Sequence, residues 1–461
     1  DGRPSADNPW YNQDSNIKNP SLSWGRDFNH ESEYTRALVD SVAGFWMSEY
    51  KIDGFRYDFT KGFSNTPYGE NDWANGPDNA RIANLKRMSA AVQKRQPGAY
   101  VIFEHLAATS EEKQLGEAGI LLWRNMNNSY CQTAMGWTTE NDFSGLYAGT
   151  SMPAGSLVGY MESHDEERTG FKAWKWGNTG VIASTTSTNT GMSPATGSNI
   201  NLSTRTKRLA TNAAFFLTVP GPKMIWQFGE LGYDFSINNN SDGSKYDDQG
   251  GYRTDPKPIR WDYFEDADRK RLYETYATLL DFRHSYPELF ASNTTFSWKV
   301  GIANWDNGRT LSATSTDGKS LVVVGNFALA DKNFSVTFQE TGTWYELLKD
   351  NEPLNVSSTT QTIAVPAHEF RLFTNFKPTQ TGIETTAPDA EKPLMYYNRG
   401  IDTLVLPAGE AKRVEVYSVN GMLVMTQEKC TSVGLSALPV GYYMARAYME
   451  DGRVQVCKIM K

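Results

Sequence analysis

Hydrophobic residues in the first 288 positions recur with two alternating spacings, one typical of helices and one typical of buried strands. Tyr34, Leu38, Val42 and Phe45 follow one helix face, and the apolar run IDGFRY begins soon afterwards at Ile52. Further strand candidates are AYVIFE (99–104), GILLW (119–123), SLVGYM (156–161) and PKMIWQF (222–228), with helical patterns at 82–92, 204–218 and 268–285. Continuous apolar strands that alternate with helices predict a parallel α/β sheet.

The pattern changes after Pro287, where short β-rich runs such as TLSATS and SLVVVGNF are separated by Gly, Asp and Asn turns. This predicts an antiparallel β domain at 289–375 that follows an α/β domain at 1–288. Residues 376–393 are rich in Pro, Thr and charge, which predicts a flexible linker. Residues 394–461 contain further strand-like runs and turns, which predict a small C-terminal β-sandwich.

Charge and composition narrow the class of partner. The chain has 45 Lys and Arg against 53 Asp and Glu, a net charge of −8, and no basic run, which argues against nucleic acid or an anionic membrane surface. No apolar run reaches the roughly 20 residues that span a bilayer, and the first residues show no signal-peptide pattern. With three cysteines, at most one disulfide can form within the chain; Cys430 with Cys457 is one candidate pair, and unpaired burial is the favoured state. An uncharged partner therefore fits best.

Acidic side chains stand at the ends of three of the predicted strands. In DGFRYDFTKGF (53–63), Arg56 and Asp58 share one strand face, and Asp58 lies at the carboxyl end, where α/β proteins bind ligands. Glu104 ends the next strand, and His164 with Asp165 follows another. Each could alone be structural, as an ion pair, a helix cap or a loop contact. Because the carboxyl ends of parallel strands share one edge, we expect all three acids to converge.

Converging carboxylates beside an arginine suit cleavage of a glycosidic bond, which needs a negative group and a proton donor. Arg56 favours the ionised form of Asp58 and so a nucleophile, whereas a glutamate in a drier pocket can act as the acid. In a retaining enzyme the two carboxyl groups lie about 5 Å apart. An alternative is a zinc hydrolase that uses Glu104, His105, His164 and Asp165 as ligands, but the chain has only five His and none in a zinc-binding cluster.

At these residues the sequence resembles the α-amylase family of glycoside hydrolases, glycoside hydrolase family 13. DGFRYDFTKGF is similar to the family's fourth-strand motif, VIFEHLA to the fifth and MESHDEE to the seventh. The resemblance implies a (β/α)8 barrel followed by an antiparallel β domain, over roughly residues 1–375. It further implies Asp58 as nucleophile, Glu104 as general acid/base and Asp165 as transition-state stabiliser, with substrate contacts from Arg56, Lys61 and His164.

The chain also departs from the family pattern. Ser163, His164, Asp165 and Glu166 are similar to glucan branching enzymes, whose fourth-strand motif lacks the lysine seen here at Lys61. No counterpart of the third-strand motif precedes Ile52, so we expect a partial barrel that lacks its first three strands and is inactive or insoluble alone. The missing part would hold a calcium ligand.

The long loop after the last barrel strand is either solvated or part of the site. In the second case, Tyr233, Arg253 or Trp261 would flank a sugar cleft. The family implies calcium, whose ligands the sequence does not identify; candidate oxygen donors in this loop are Asp242, Asp247 and Asp248.

The last 70 residues resemble the C-terminal sorting domain of the type IX secretion system, through VEVYSVNGMLV, LSALPVGYYMARA and VCKIMK. That resemblance implies contact with the secretion machinery and a secreted or cell-surface location; a carbohydrate-binding or immunoglobulin-like module is the alternative. The sequence as a whole predicts a secreted enzyme that cleaves α-glucosidic bonds of starch-like glucans with retention. Alternatives are a branching enzyme or other transglycosylase, and a surface protein that binds glucan without cleaving it. Linkage preference, endo or exo action and oligomeric state stay undetermined.

Overall fold

The chain divides into two compact units, Asp1–Gln380 and Thr381–Lys461. The computed structural model describes residues 2–23, 25–147, 149–178, 200–379, 395–398, 401–406, 409–418, 421–450 and 454–461. Most of the predicted linker at 376–393 therefore lies outside the described residues. No helix of the described part is both long enough and apolar enough to cross a membrane.

The first half of the first unit alternates helices and short parallel strands, as the spacing of apolar residues predicts. The helices are α1 (Glu33–Tyr50), α2 (Asn79–Arg95), α3 (Thr109–Glu117), α4 (Asn127–Met135), α5 (Thr169–Trp176), α6 (Leu202–Leu217) and α7 (Ala267–Ser285). The strands are β1 (Gly54–Tyr57), β2 (Tyr100–Phe103), β3 (Leu121–Asn125), β4 (Leu157–Tyr160) and β5 (Lys223–Met224).

These five strands form one parallel sheet in chain order, β1-β2-β3-β4-β5. Side chains alternate between its two faces. Val101, Phe103, Leu122 and Leu157 belong to a buried cluster that also contains residues of α1, α2 and α3. A second, smaller cluster uses alternate positions of the same strands, with Trp123, Val158 and Tyr160 at its centre. The five strands thus form a curled parallel half-barrel with apolar side chains on both faces.

Register explains which side chains meet at the site. Arg56 is paired with Ile102, Ile102 with Leu121, and Trp123 with Val158. Arg56 therefore shares its sheet face with Trp123, and both project towards the carboxyl edge.

Two antiparallel sheets complete the first unit. A six-stranded sheet has the order β11-β10-β13-β8-β7-β6, and a two-stranded sheet pairs β12 with β9. Their strands are β6 (Thr295–Lys299), β7 (Arg309–Thr314), β8 (Ser320–Gly325), β9 (Lys332–Thr337), β10 (Gly342–Glu346), β11 (Glu352–Val356), β12 (Thr360–Val365) and β13 (Phe370–Thr374). The boundary predicted at 288/289 falls between α7 and β6, and stays a prediction as a domain limit.

The second unit is built from antiparallel strands alone. They are β14 (Tyr396–Asn398), β15 (Thr403–Val405), β16 (Ala411–Ser418), β17 (Leu423–Cys430), β18 (Ser432–Gly434), β19 (Tyr442–Met449) and β20 (Val454–Met460). They form two sheets, β14-β15-β18 and β17-β16-β19-β20, around one cluster of buried apolar residues. Cys430 and Cys457 are free thiols, as is Cys131 in the first unit.

One predicted helix differs from its expected packing. The apolar stripe of α1 faces outwards, since Tyr34, Leu38, Val42 and Phe45 are all exposed. The buried residues of α1 are Thr35, Ala43, Gly44 and Met47. A helix pattern alone predicts an apolar face, but not which neighbour covers it.

Candidate active site

Arg56 and Asp58 lie at the carboxyl end of β1, as predicted. The Arg56 guanidinium forms an ion pair with the Asp58 carboxylate, which is largely exposed. Close approach of β1 and β2 requires a glycine at the start of β1, because a Cβ at Gly54 would lie 2.1 Å from the Tyr100 carbonyl oxygen. The site therefore begins on a strand that is held tightly against its neighbour.

Glu104 follows β2 and reaches the same guanidinium. Its Oε2 lies 3.0 Å from Arg56 Nη2 and accepts the Phe59 backbone N–H at 3.0 Å. Phe59 adopts a left-handed backbone, with φ at 43°, in the turn after β1. This turn aims the Phe59 N–H at the carboxylate, and the Thr60 N–H donates to the Glu104 carbonyl at 2.9 Å. Sequence motifs predicted Glu104 but not the backbone donor.

The environment of Glu104 suits a proton donor. Burial raises the pKa of Glu104 above its ordinary value, and the neighbouring Asp58 carboxylate adds to the rise. The Phe59 N–H and the Arg56 charge oppose it. Because the net pKa shift is upward, a larger fraction of Glu104 is protonated at mildly acidic pH than of an exposed glutamate.

Trp123 connects this group to the third acid. The Arg56 guanidinium carbon lies 4.1 Å from the centroid of the Trp123 ring, a cation–π contact, and the His164 ring lies 6.2 Å from the same tryptophan. His164 Nε2 is 3.2 Å from Asp165 Oδ2, and Arg253 donates to Asp165 Oδ1 at 2.8 Å. The structure thus brings five predicted site residues to one edge of the sheet: Arg56, Asp58, Glu104, His164 and Asp165.

The sequence analysis did not single out Trp123, and it named Glu166 only as part of the branching-enzyme-like run, without a role in the site. Glu166 accepts hydrogen bonds from Asn125 Nδ2 at 2.5 Å and from the Ser163 hydroxyl, beside the His164–Asp165 pair. The strand period could have found Trp123, since it lies near the end of β3 on the face that Arg56 occupies in β1. Glu166 leaves no such signal, because its place depends on the fold of a loop.

Lys61 lies apart from this ion-pair group. It is buried, and its ammonium donates to Asn75 Oδ1 at 3.1 Å. Burial and the nearby Arg81 charge lower the pKa of Lys61. A substrate contact by Lys61 stays a prediction.

Of the three residues in the loop after β5 that could flank a sugar cleft, one reaches the group of candidate catalytic residues. Arg253 reaches Asp165, whereas Tyr233 is buried and donates its hydroxyl to the Pro258 carbonyl at 2.7 Å. Trp261 is exposed and packs against Phe228, with ring centroids 4.9 Å apart. Only Arg253 touches a predicted catalytic residue.

The candidate calcium oxygens do not fit a metal site. Asp242 accepts the Ser244 N–H at 2.8 Å, and Asp247 accepts the Gln249 and Gly251 N–H groups at 3.0 and 3.1 Å. These carboxylates stabilise their own turns. Among the residues that the structure describes, no three His, Cys, Asp or Glu side chains converge as a metal site would require.

The zinc alternative is inconsistent with the position of His105. Its Nδ1 lies 3.0 Å from the Thr60 hydroxyl and its Nε2 lies 2.9 Å from Glu111, both inside the protein. His105 therefore does not point towards Glu104, His164 and Asp165.

Comparison with known proteins identifies one curated relative and several solved structures with a similar fold. No profile of a known protein family matches the chain. The 1,4-alpha-glucan branching enzyme GlgB 2 of Streptomyces avermitilis is 22% identical over 345 residues, which is 69% of this chain and 52% of the branching enzyme. The chain thus aligns with only about half the length of this relative.

Solved structures give the same result. An Anoxybacillus α-amylase superposes with a TM-score of 0.55 and 14% identity, covering 81% of this chain and 72% of the amylase. A type I pullulanase of Bacillus subtilis, crystallised with maltose, gives 0.51 and 15%, covering 76% of this chain and 47% of the pullulanase. These superpositions show that the chain has an amylase-type fold.

Proposed function

We propose that this chain carries the catalytic carboxylates of an enzyme that cleaves α-glucosidic bonds with retention. The observation that carries the proposal is the single Arg56 guanidinium that contacts both Asp58 and Glu104 at the carboxyl ends of adjacent strands. A nucleophile and an acid that share one cation lie close together, as a double displacement needs. The relatives described above, which include an amylase, a pullulanase and a branching enzyme, support a glucan substrate.

Each residue then has a role that follows from its surroundings. Glu104, whose pKa is raised, donates its proton to the glycosidic oxygen as the bond to the anomeric carbon breaks. Asp58 attacks that carbon and forms a glycosyl–enzyme ester. Glu104, now ionised, takes a proton from the water that cleaves the ester, and both residues return to their first state. Asp165 with His164 would contact the same sugar and stabilise its developing positive charge.

A second candidate function is transfer of the glucan chain to another sugar rather than to water. The branching-enzyme relative and the run Ser163-His164-Asp165-Glu166 favour it. Hydrolysis yields new reducing ends in proportion to the bonds broken, whereas branching yields α-1,6 linkages without them. Proton NMR of the products of amylose therefore separates the two.

The open sheet suggests that the intact protein contains more of the barrel. Among the described residues, β1 pairs only with β2 and β5 only with β4. Exposed apolar side chains flank both edges: the outward stripe of α1 on one side and Ile225, Tyr273 and Leu280 on the other. We expect further β/α units to cover them, and we call residues 1–461 together with any encoded sequence before Asp1 the intact protein.

The second unit is proposed to direct export by the type IX secretion system, which would place the enzyme outside the cell. Its sequence resemblance supports this role. Fusion of residues 394–461 to a periplasm-targeted reporter, in a host with and without that system, tests it: secretion that depends on the system is expected, and a reporter that stays in the periplasm of both hosts would contradict it.

The catalytic assignment is tested by Glu104→Gln in the intact protein. Release of reducing sugar from soluble starch should fall by at least about 1,000-fold while maltoheptaose still binds, because the amide has no acidic proton to transfer. Glu117→Gln, at an exposed position on α3, is the matched control and should retain full activity. Unchanged turnover in Glu104→Gln would remove Glu104 as the acid, and no sugar release by the wild-type intact protein would contradict cleavage.

A further inference from the structure

A cavity of about 1030 Å³ lies between α5 and the loop that follows β5. Its walls come from α5 and from residues 234–269, and none of Asp58, Glu104 and Asp165 lines it. Its volume is at the upper end of the range for small-molecule sites, about 300–1,000 Å³, so several linked sugar units would fit. The mechanism above makes no use of this cavity.

Aromatic rings form one wall. The Phe171 ring is the centre of a group in which the centroids of Trp174, Trp176 and Tyr246 lie 5.7, 5.6 and 5.8 Å away. Phe171 is buried, whereas Tyr246 is 40% exposed. Such a wall offers flat apolar surface to a ligand that itself has flat apolar faces.

Lys175 points at this wall without a charged partner. The residue is only 8% exposed, and its ammonium lies 5.6 Å from the Trp174 ring and 5.4 Å from the Tyr246 ring. Within the described part of the chain, no carboxylate pairs with it and no acceptor takes its hydrogen bonds. The side chain is thus held against ring faces, and its ammonium keeps its hydrogen-bond donors for a ligand in the cavity.

The other charges of the cavity are nearly balanced. Arg260 pairs with Asp262 and Arg269 with Asp234, while Asp266 caps α7. What remains is the Lys175 ammonium together with the carboxylates of Asp248 and Asp266. An anionic ligand would gain little here, whereas a neutral ligand rich in hydroxyl groups could accept from Lys175 and donate to Asp248.

We propose that this cavity is a second α-glucan binding site, separate from the catalytic one. The C–H faces of glucosyl rings would pack on Tyr246, and their hydroxyls would bond to Lys175 and Asp248. The choice of an α-glucan as ligand rests on the proposed function. In this role the site binds a long glucan through a segment of the glucan that is not being cleaved.

The test is calorimetry with maltoheptaose on the intact protein that carries Glu104→Gln. Two sites per chain are expected, and adding Tyr246→Ala should leave one. Lys175→Met keeps the bulk of the side chain and removes the donor, so the affinity of the second site should fall about tenfold. Tyr396→Ala is the matched control, since Tyr396 is also 40% exposed but belongs to the second unit, and it should keep both sites.

A single site before and after Tyr246→Ala, or two sites that survive it, would overturn the proposal. Thermal melts check that each variant is folded, and Trp176→Ala provides a second variant of the same wall. In the otherwise wild-type protein, Tyr246→Ala should leave turnover of maltotriose unchanged and reduce adsorption to granular starch about tenfold. If the wild-type protein releases no sugar while two-site binding persists, cleavage is refuted and the second site stands.

Discussion

Arg56 connects more of the candidate site than any other residue described above. Its guanidinium pairs with Asp58, approaches Glu104 and covers the face of Trp123. Its Nε is buried without a hydrogen-bond acceptor in the described part of the chain, so the ring face is the contact that replaces one. Trp123 is therefore a positioning residue: it acts on the carboxylates through the arginine.

Substitution of Trp123 should change the pH profile as well as the rate. A cation–π contact contributes about 1–2 kcal/mol, so Trp123→Leu should lower kcat/KM about tenfold, while Trp123→Phe keeps a ring and much of the activity. The Arg56 charge opposes the rise in the pKa of Glu104. When Arg56 is less well held, that pKa rises further.

The sign of the shift follows from the role of Glu104. The acid must be protonated, so activity falls as pH rises through its pKa, and a higher pKa moves this alkaline limb to higher pH. Measurement of kcat/KM against pH for both variants checks this. A lower rate with an unmoved alkaline limb in Trp123→Leu would show that the tryptophan acts only in packing.

At the scale of elements, the turn after β1 depends on a buried ion pair. The Arg81 side chain is fully buried and pairs with Glu111 at 2.7 Å, joining α2 to α3. It also donates to the carbonyls of Lys61, Ala74 and Gly76. One side chain thus fixes the segment that runs from the turn after β1 to the start of α2.

Arg81→Met should destabilise the intact protein by about 3–5 kcal/mol, because it removes the arginine cation from the buried Glu111 carboxylate. Arg87→Met is the control: Arg87 pairs with Asp40 at 2.8 Å, but both side chains are partly exposed, so a loss below about 1 kcal/mol is expected. Urea unfolding of the two variants makes the comparison. Equal losses in the free energy of unfolding of the two variants would show that the buried Arg81 pair stabilises the protein no more than the exposed pair does.

The sequence predicted the elements better than their packing. Most helices and strands that were predicted in the first 288 residues agree with the structure, because a buried strand and an amphipathic helix each leave a period in the sequence. The short helices α4 and α5 were not predicted. β5 has two paired residues where a seven-residue strand was predicted. Strand pairing depends on the neighbour, and the neighbour is not local in sequence.

The same limit applies to the site. Acids at strand ends could be predicted, because parallel strands share a carboxyl edge. The direction of the Phe59 N–H towards Glu104 could not be predicted, since it requires a left-handed backbone at a residue that is not glycine. The calcium candidates in the loop after β5 do not converge in the described structure for a related reason: short-range acceptors for backbone N–H groups look like ligands in sequence.

At the scale of the whole molecule, the open edges of the half-barrel have consequences for solubility. Residues 1–461 expressed alone should be insoluble or inactive, because unpaired strands and the exposed apolar face of α1 favour aggregation. The intact protein should be soluble and release sugar from starch. Soluble, folded and active 1–461 protein would contradict this.

A triple variant sharpens the test. Leu38→Lys, Val42→Glu and Phe45→Lys together should increase the soluble yield of 1–461 but decrease the stability of the intact protein, where we expect this face to be covered. The control changes three exposed apolar residues of the second unit, Met422, Leu423 and Val440, and should not affect the stability of the first unit. Thermal melts of both forms give the comparison. Equal effects of the triple variant in the two forms would show that nothing covers α1.

The strand order β1 to β5 places every candidate catalytic acid on one continuous run of chain. Closure of the sheet, by contrast, requires only strands that pair with the backbones of its two edge strands. The catalytic acids and the strands that would close the sheet therefore belong to separate stretches of polypeptide. An enzyme with this division can be reconstituted in trans. Two inactive fragments, mixed in solution, would regain turnover if one supplies the missing strands and the other supplies the catalytic acids.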